Sequence, residues 1–366
     1  MSKLKVAALQ GLSASSDAIT LANDGTCTAN ITNRSNRNIL INGGMGIAQR
    51  YSSSTSHPAY GADRWRWGFG NHSAGTVTAS QQSLSSSDTG PWEKGFRNYT
   101  RLALGQAGTA AANTYISMRY KVEAQDIANS GWDYTSASSD ITISFWFRCS
   151  TNQTFYFEVK SDDGTAQSYV FSFTASGNNT WTKVTKTIPG NSNIQINNDN
   201  GSGLSLWIYQ FYGTDYSNNK TLDQWAAYSG SNIMPDMAST WLTAGASTWD
   251  LTGIQLEVGS VATDFEHRSY GQELTLCQRY YFQGDGQENG ASLNNYYGSA
   301  YGSNSMVKVS FPTTMRVKPT VTTPSSHTGG GTFSAVYENF TEVSYYITGD
   351  TTVSIDPSEV KASAEL

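Results

Sequence analysis

Flat aromatic rings set beside amides, hydroxyls and single charges are the chemistry this chain offers most freely. Trp132, Tyr134, Trp225 and Tyr228 fall in segments that read as loops, and Tyr296 and Tyr297 stand near the loops of a later segment together with Tyr301. An aromatic face can stack on the C–H face of a sugar while neighbouring Asn, Asp and Arg hold its hydroxyls. Trp132, Tyr134, Trp225, Tyr228, Tyr296 and Tyr297 are therefore the expected glycan-binding residues. The stretch Gly61–Phe69 is aromatic and charged together. It reads either as a binding loop or, preferably, as a structural one in which Trp65 and Trp67 cap a core and Asp63 and Arg64 pair.

Signals for covalent chemistry are weaker. There is no GxSxG elbow and no GxxxxGK[ST] phosphate loop. Glu93, Glu123, Asp126 and Glu158 are the carboxylates that glycoside hydrolysis would draw on, but nothing in their spacing pairs them. No catalytic residue is assigned, and a non-enzymatic protein is expected. His57, His72, His267 and His327 are not at metal spacing, and a structural hydrogen bond is expected of His267. Asp162-Asp163-Gly164 and the run from Asn197 to Gly201 are oxygen-rich loops. Such oxygens suit calcium, but Asp-Gly and Asn-Gly are equally ordinary hairpin turns, and the turn is preferred. No metal and no cofactor is expected.

Composition narrows the class. At 366 residues, two or three domains fit. Only 14% of residues are charged while 12% are aromatic and 34 are Gly, a balance for many short strands and tight turns rather than helices or disorder. Net charge is −6, and Lys and Arg are scattered singly with no basic stripe, so no nucleic-acid partner is expected. Cys27, Cys149 and Cys277 are odd in number and far apart, which excludes a fully paired disulfide framework. Cys149 lies in an apolar strand and reads as a buried free thiol. No apolar run reaches membrane-helix length, and the first residues lack a secretory signal, so synthesis in a cytoplasm without membrane insertion is expected.

Period-two alternation places the elements. Ile141, Ile143, Phe145, Phe147 and Cys149 alternate with Thr142, Ser144, Trp146 and Arg148, and similar patterns recur over 154–160, 169–174 and 251–258. With 38–45, 99–104, 115–122, 181–188 and 204–212 they suggest eight or nine strands. The fold class is thus all-β: an N-terminal anchor or oligomerisation segment over 1–37, a jelly-roll β-sandwich over 38–268 resembling carbohydrate-binding modules, and a smaller C-terminal β-domain over 269–366, expected to lie distally. Residues 1–37 are too few for a core of their own and would need partner chains to cover their apolar positions.

A longer pattern spans the junction. Gly253, Gln255, Leu256, Glu257 and Gly259 are followed by Ala262, Thr263, Phe265, Glu266 and Arg268, then by Glu273, Leu274, Leu276, Cys277, Gln278, Arg279, Tyr280 and Tyr281. With Asn38–Met45, Ile47–Arg50, Asp63-Arg64-Trp65 and the closing Ala364-Glu365-Leu366, this block resembles virion appendage proteins of tailed, particularly marine, bacteriophages. The resemblance covers roughly residue 38 onward. It implies a structural protein on the virion surface, a tail fibre or a capsid decoration, and a homotrimer held to other virion proteins through residues 1–37. A host surface polysaccharide is the expected ligand. A free carbohydrate-binding protein and a polysaccharide depolymerase are the rivals.

Overall fold

The computed structural model describes residues 6–12, 19–21, 27–29, 36–284, 296–297, 299–301, 304–325, 328–349, 353–356 and 359–366. Among the described residues the strands pair antiparallel and the three α-helices are short. The large unit is a sandwich of two sheets. One has six strands in the order Thr182–Pro189, Asp140–Cys149, Thr248–Val258, Asn98–Leu104, Val77–Ser83 and Ser53–Ser54. The other has seven, ordered Trp225–Ala227, Gln167–Ser176, Asn152–Ser161, Ser202–Tyr212, Tyr115–Glu123, Trp65–Gly70 and Ala59–Ala62.

Alternation sends one set of side chains from each strand into the space between the sheets. Ile141, Ile143, Phe145 and Phe147 meet Phe155, Phe157, Phe171 and Phe173 there, with Phe145 on Phe157 at 5.6 Å and Phe147 edge-on to Phe173 at 4.8 Å. Each large buried side chain is worth about 1.5–3 kcal/mol of transfer free energy. Cys149 and Cys277 are buried free thiols, and burial pushes the Cys149 thiol up to about 12.

Several expectations need correction. Gly61–Phe69 is a hairpin rather than a loop, and Trp65, Trp67 and Phe69 alternate into the core. Asp63 and Arg64 do not pair with each other: Asp63 accepts from Gln49 and faces Arg50, whereas Arg64 pairs with Glu365. Asn38–Met45 is not a strand but an irregular buried segment, because Asn38 and Asn42 hydrogen-bond nearby backbone groups and divert the chain from a ladder. The 251–258 pattern does not bury one face only. A bulge at Gly253, with φ +62°, shifts the register, and residues 249–257 are buried on both faces.

That double burial explains the family-like block. Gln255 and Glu257 point away from the core and clamp the following segment: Thr263 donates N–H (2.9 Å) and hydroxyl (2.6 Å) to Glu257, and the Glu266 N–H donates to Gln255 (2.8 Å). Glu266 then accepts from the Asn38 N–H at 2.8 Å, and Arg268 donates to the Leu40 carbonyl at 3.1 Å. The helix Tyr270–Gln278 follows, capped reciprocally by Ser269 and Gln272.

Among the described residues the smaller unit holds three sheets. Lys361–Ser363 lies between Tyr281–Gln283 and Thr320–Thr322; Ser299–Tyr301, Asn304–Ser310, Glu342–Thr348 and Thr332–Glu338 form a second sheet; Tyr296–Tyr297 pairs with Ser354–Ile355. A separate core gathers Val307, Val309, Phe311, Val343, Tyr345 and Ile347. Its contact with the sandwich joins a small apolar cluster, Ile41 and Ile47 with Cys277, Tyr280 and Leu366, to buried polar groups. Glu123 accepts from Arg279 (3.0 and 2.9 Å), the Tyr280 hydroxyl (2.5 Å) and Gln125 (2.6 Å). Glu365 accepts from Arg50 at 2.8 Å and from Arg64, whose guanidinium lies 3.4 Å from the Tyr280 ring centre.

This contact sets an acid limit. Burial alone would raise the Glu123 and Glu365 carboxyls, but Arg279 and Tyr280 at one, and Arg64 and Arg50 at the other, outweigh it and hold both below the ordinary 4.5. Each binds its proton less readily folded than unfolded, so unfolding takes up protons as pH falls. Their stabilisation is complete above pH 4.5 and is lost as pH drops through that value toward the lower folded ones. Asp63 and Glu158, raised by burial, act in the opposite sense and offset part of the loss. Calorimetry should show a thermal midpoint that falls once pH passes below 4.5, with a shallower fall in Glu365→Gln.

Of the N-terminal segment, Ala8–Leu9, Ile19–Leu21 and Cys27–Ala29 form a three-stranded antiparallel sheet, with Leu9 and Leu21 48% and 39% exposed. No helix among the described residues is long and apolar enough to cross a membrane.

Candidate functional site: a pocket on the outer face of the six-stranded sheet

Trp146 sits between inward Phe145 and Phe147 and so points outward, directly opposite Lys183 on the edge strand. Phe96 arrives from the 85–97 loop and Phe265 from the clamped segment, meeting edge-to-face at 4.7 Å. Gly253 permits this closeness: a Cβ there would stand 2.5 Å from the Phe96 ring. His267 packs on Phe96 and Phe265 at 5.0 and 4.9 Å, and its Nε2 lies 2.8 Å from the Lys94 carbonyl oxygen, in line with the structural bond expected of it.

These groups line a shallow, open pocket of about 400 Å³. It is lined by the rings of Trp146 and Phe265, by Phe96, which is itself 3% exposed, and by Glu93, Lys94, Ser144, Lys183, Thr263 and Asp264. The exposed Lys94 ammonium and Asp264 carboxylate are 3.5 Å apart. Such a pair is worth little in water and remains available to a ligand's hydroxyls. The arrangement offers apolar ring edges with donors and acceptors around them, which suits a polyhydroxylated ring.

The aromatics nominated from sequence lie elsewhere. Trp132 is a correction: it is 3% exposed, belongs to the main core and donates its indole N–H to the Ser139 carbonyl, so it offers no face to a sugar. Tyr134 packs edge-on to it at 6.1 Å and is partly buried. Trp225 is held by Tyr169 at 5.6 Å and by the Pro189 carbonyl at 2.7 Å. Trp132, Tyr134 and Trp225 gather around 189–191, where the Asn191 N–H donates to the Tyr134 carbonyl. Tyr228 stands apart, 37% exposed over Lys160 on the outer face of the seven-stranded sheet. Tyr296 and Tyr297 lie in the short strand facing Ser354–Ile355, and their side chains fall outside the described residues, as does His327.

Of the four carboxylates weighed for hydrolysis, only Glu93 reaches the pocket. Glu123 is engaged at the junction, Asp126 is beside it, and Glu158 is fully buried with Ser168 and Tyr209. The two oxygen-rich loops meet: Asp163 accepts from the Asn197 backbone and side chain, both at 2.8 Å, and Asp199 accepts from the Gly201 N–H at 2.8 Å. No group of three His, Cys, Asp or Glu side chains suited to an ion forms among the described residues. Sequence missed Trp146, Phe96, Phe265 and Lys183 as a site because they come from four distant segments.

No protein family matches this chain, and no curated protein does. Among solved structures it is similar to the enzymatically active domain of bacteriophage CBA120 tailspike protein 4, with TM-score 0.32 and 9% identity, covering 61% of this chain and 22% of that one. It thus spans about a fifth of that tailspike chain. It is also similar to TmCBM61 in complex with β-1,4-galactotriose (TM-score 0.29, 12% identity, 62% of this chain and 99% of that). A further similar structure is a putative sugar binding protein from Bacteroides thetaiotaomicron (TM-score 0.29, 8% identity, 61% and 100%). Likeness at this level carries no statement about ligand or role.

Proposed function

We propose that this chain is a non-enzymatic, sugar-binding structural protein of a phage surface, either a tail fibre or a capsid decoration. The observation that carries the sugar-binding part is the pocket of Trp146 and Phe265 with the opposed charges of Lys94 and Asp264 beside it. The virion part rests on the junction block from Gly253 to Tyr281 and its resemblance to phage appendage proteins. Residues 1–37 would attach to other virion proteins, and three copies would associate, which gives the exposed Leu9 and Leu21 a cover. Synthesis in the host cytoplasm followed by assembly would place the chain on the particle surface.

A glycan array read with wild type and Trp146→Ala tests the pocket. Loss of one stacking ring should weaken the best glycan about tenfold, read on protein shown folded by its melting curve because Trp146 also packs on the Leu84, Phe96, Tyr99 and Trp181 cluster. Equal binding by both proteins would remove the pocket from consideration. Because Glu93 and Asp264 line the same pocket, incubation with the bound polysaccharide should also be followed for new reducing ends. Their appearance would replace the adhesin by a depolymerase. Electron cryomicroscopy of the particle would show whether the chain is rooted on the head or the tail, or is absent.

A further inference from the structure

The register of the seven-stranded sheet brings together cations that are single in the sequence. Arg66 pairs across to Arg119, and Arg119 to Trp207. One row along, Lys121 pairs to Ser205 and Ser205 to Lys160. The core-facing residues of these strands are Trp65, Trp67, Met118, Tyr120, Leu206 and Ile208, so both rows point outward. Strands lie about 4.8 Å apart, so the row from Arg66 to Trp207 spans about 10 Å. The expectation of no basic stripe therefore does not survive folding: alternation along strands hides a stripe that runs across them.

Two features set this strip apart from an ordinary solvated surface. First, its cations are half-buried, and among the described residues only one side-chain carboxylate, Asp162, pairs with any of them. Among the described residues, no side-chain carboxylate lies within ion-pair distance of Arg66, Arg119 or Lys121. Arg119 makes one long contact, 3.5 Å to the Leu366 main-chain oxygen. Asp162 sits at the end of the strip, 3.1 Å from Lys160, and is engaged by Ser202 and Ser205. Burial, then Arg66, lowers Arg119 against the pull of Tyr60, Asp162 and Tyr212, and burial with Arg119, Lys160 and Arg316 lowers Lys121 against the pull of Asp162. Partly desolvated like charges side by side oppose folding unless something relieves them. Second, flat rings border the cations. Arg119 lies 5.2 Å from the Trp207 ring centre, and Lys160 lies 4.7 Å from that of Tyr228.

We propose that this strip is a second binding surface, distinct from the pocket, that takes an acidic polysaccharide, with Arg66, Arg119, Lys121 and Lys160 on its carboxylates or sulfates and Trp207 and Tyr228 on its sugar faces. Rings beside fixed cations match alternating apolar sugar faces and anionic groups on one chain. The strip lies on the opposite side of the sandwich from Trp146, so it stands or falls independently of the pocket.

The test is retention on the full-length protein of polygalacturonate, alginate and dextran sulfate, with neutral dextran and single-stranded DNA as comparators. At least one acidic polysaccharide should bind, more tightly than DNA, with dextran not retained. Retention should fall steeply with added salt, as for any ligand that releases counterions. Arg119→Gln and Lys160→Gln should each weaken it about tenfold. Lys308→Gln, a surface cation of the smaller unit, should leave it unchanged. The proposal is overturned if no acidic polysaccharide is retained, if dextran binds equally, if DNA binds more tightly, or if both strip variants, folded by their melting curves, bind like wild type.

Discussion

Glu365→Gln is expected to destabilise the protein by about 3–5 kcal/mol, the range found when one partner of a buried ion pair is removed. The glutamine keeps the size of the side chain and deletes its charge. Arg50 and Arg64 then lose the carboxylate they share, and Arg64, almost fully buried between Tyr120 and Tyr280, can find no water in its place. Urea unfolding should show the loss as a lower midpoint or as a separate early transition of the smaller unit. An unchanged curve would mean that Glu365 does not bind the two arginines.

Gly43→Ala should be nearly as damaging, at about 3 kcal/mol. A Cβ at Gly43 would stand 2.1 Å from the Ile254 carbonyl oxygen, a backbone atom fixed in the sheet. The same contact carries the hydrogen bond from the Ile254 N–H to the Gly43 carbonyl at 3.0 Å. Gly44→Ala is the internal comparison, because its nearest neighbours, the Phe265 and Phe96 rings, are 3.8 Å away. Denaturant midpoints of the two variants should therefore separate clearly. If they coincide, the 38–45 segment is not seated against the closing strand.

These two positions show what could be read from the sequence and why. The strands with apolar residues at every second place were legible, because a sheet with one buried face writes its period directly into the chain. Val77–Ser83 was not, since Thr, Ser and Gln occupy most of its places. The hairpin at 59–70 was obscured by the charges of Asp63-Arg64, although the spacing of Trp65, Trp67 and Phe69 carried the signal. Asn38–Met45 misled in the other direction: Ile39, Leu40 and Ile41 suggest a strand, yet the flanking asparagines hold the backbone out of a ladder. The junction block stood out, and its polar members build the clamp and the junction, with Thr263 also lining the pocket. Neither the pocket nor the basic strip was legible. The pocket joins loops to strands far apart in the chain, and the basic strip exists only through cross-strand register.

The ends of the two sheets bear on how copies of this chain can coexist at high concentration. A bare strand edge is a template for uncontrolled addition of further strands. Here three of the four outermost strands, Ser53–Ser54, Trp225–Ala227 and Ala59–Ala62, are only two to four residues long. The fourth, Thr182–Pro189, carries Lys183 and Lys186 and ends in proline, which has no N–H to donate. The sandwich thus resists polymerising through its edges as a single copy, before any partner arrives. The sandwich can therefore reach high concentration without forming fibrils through its edges.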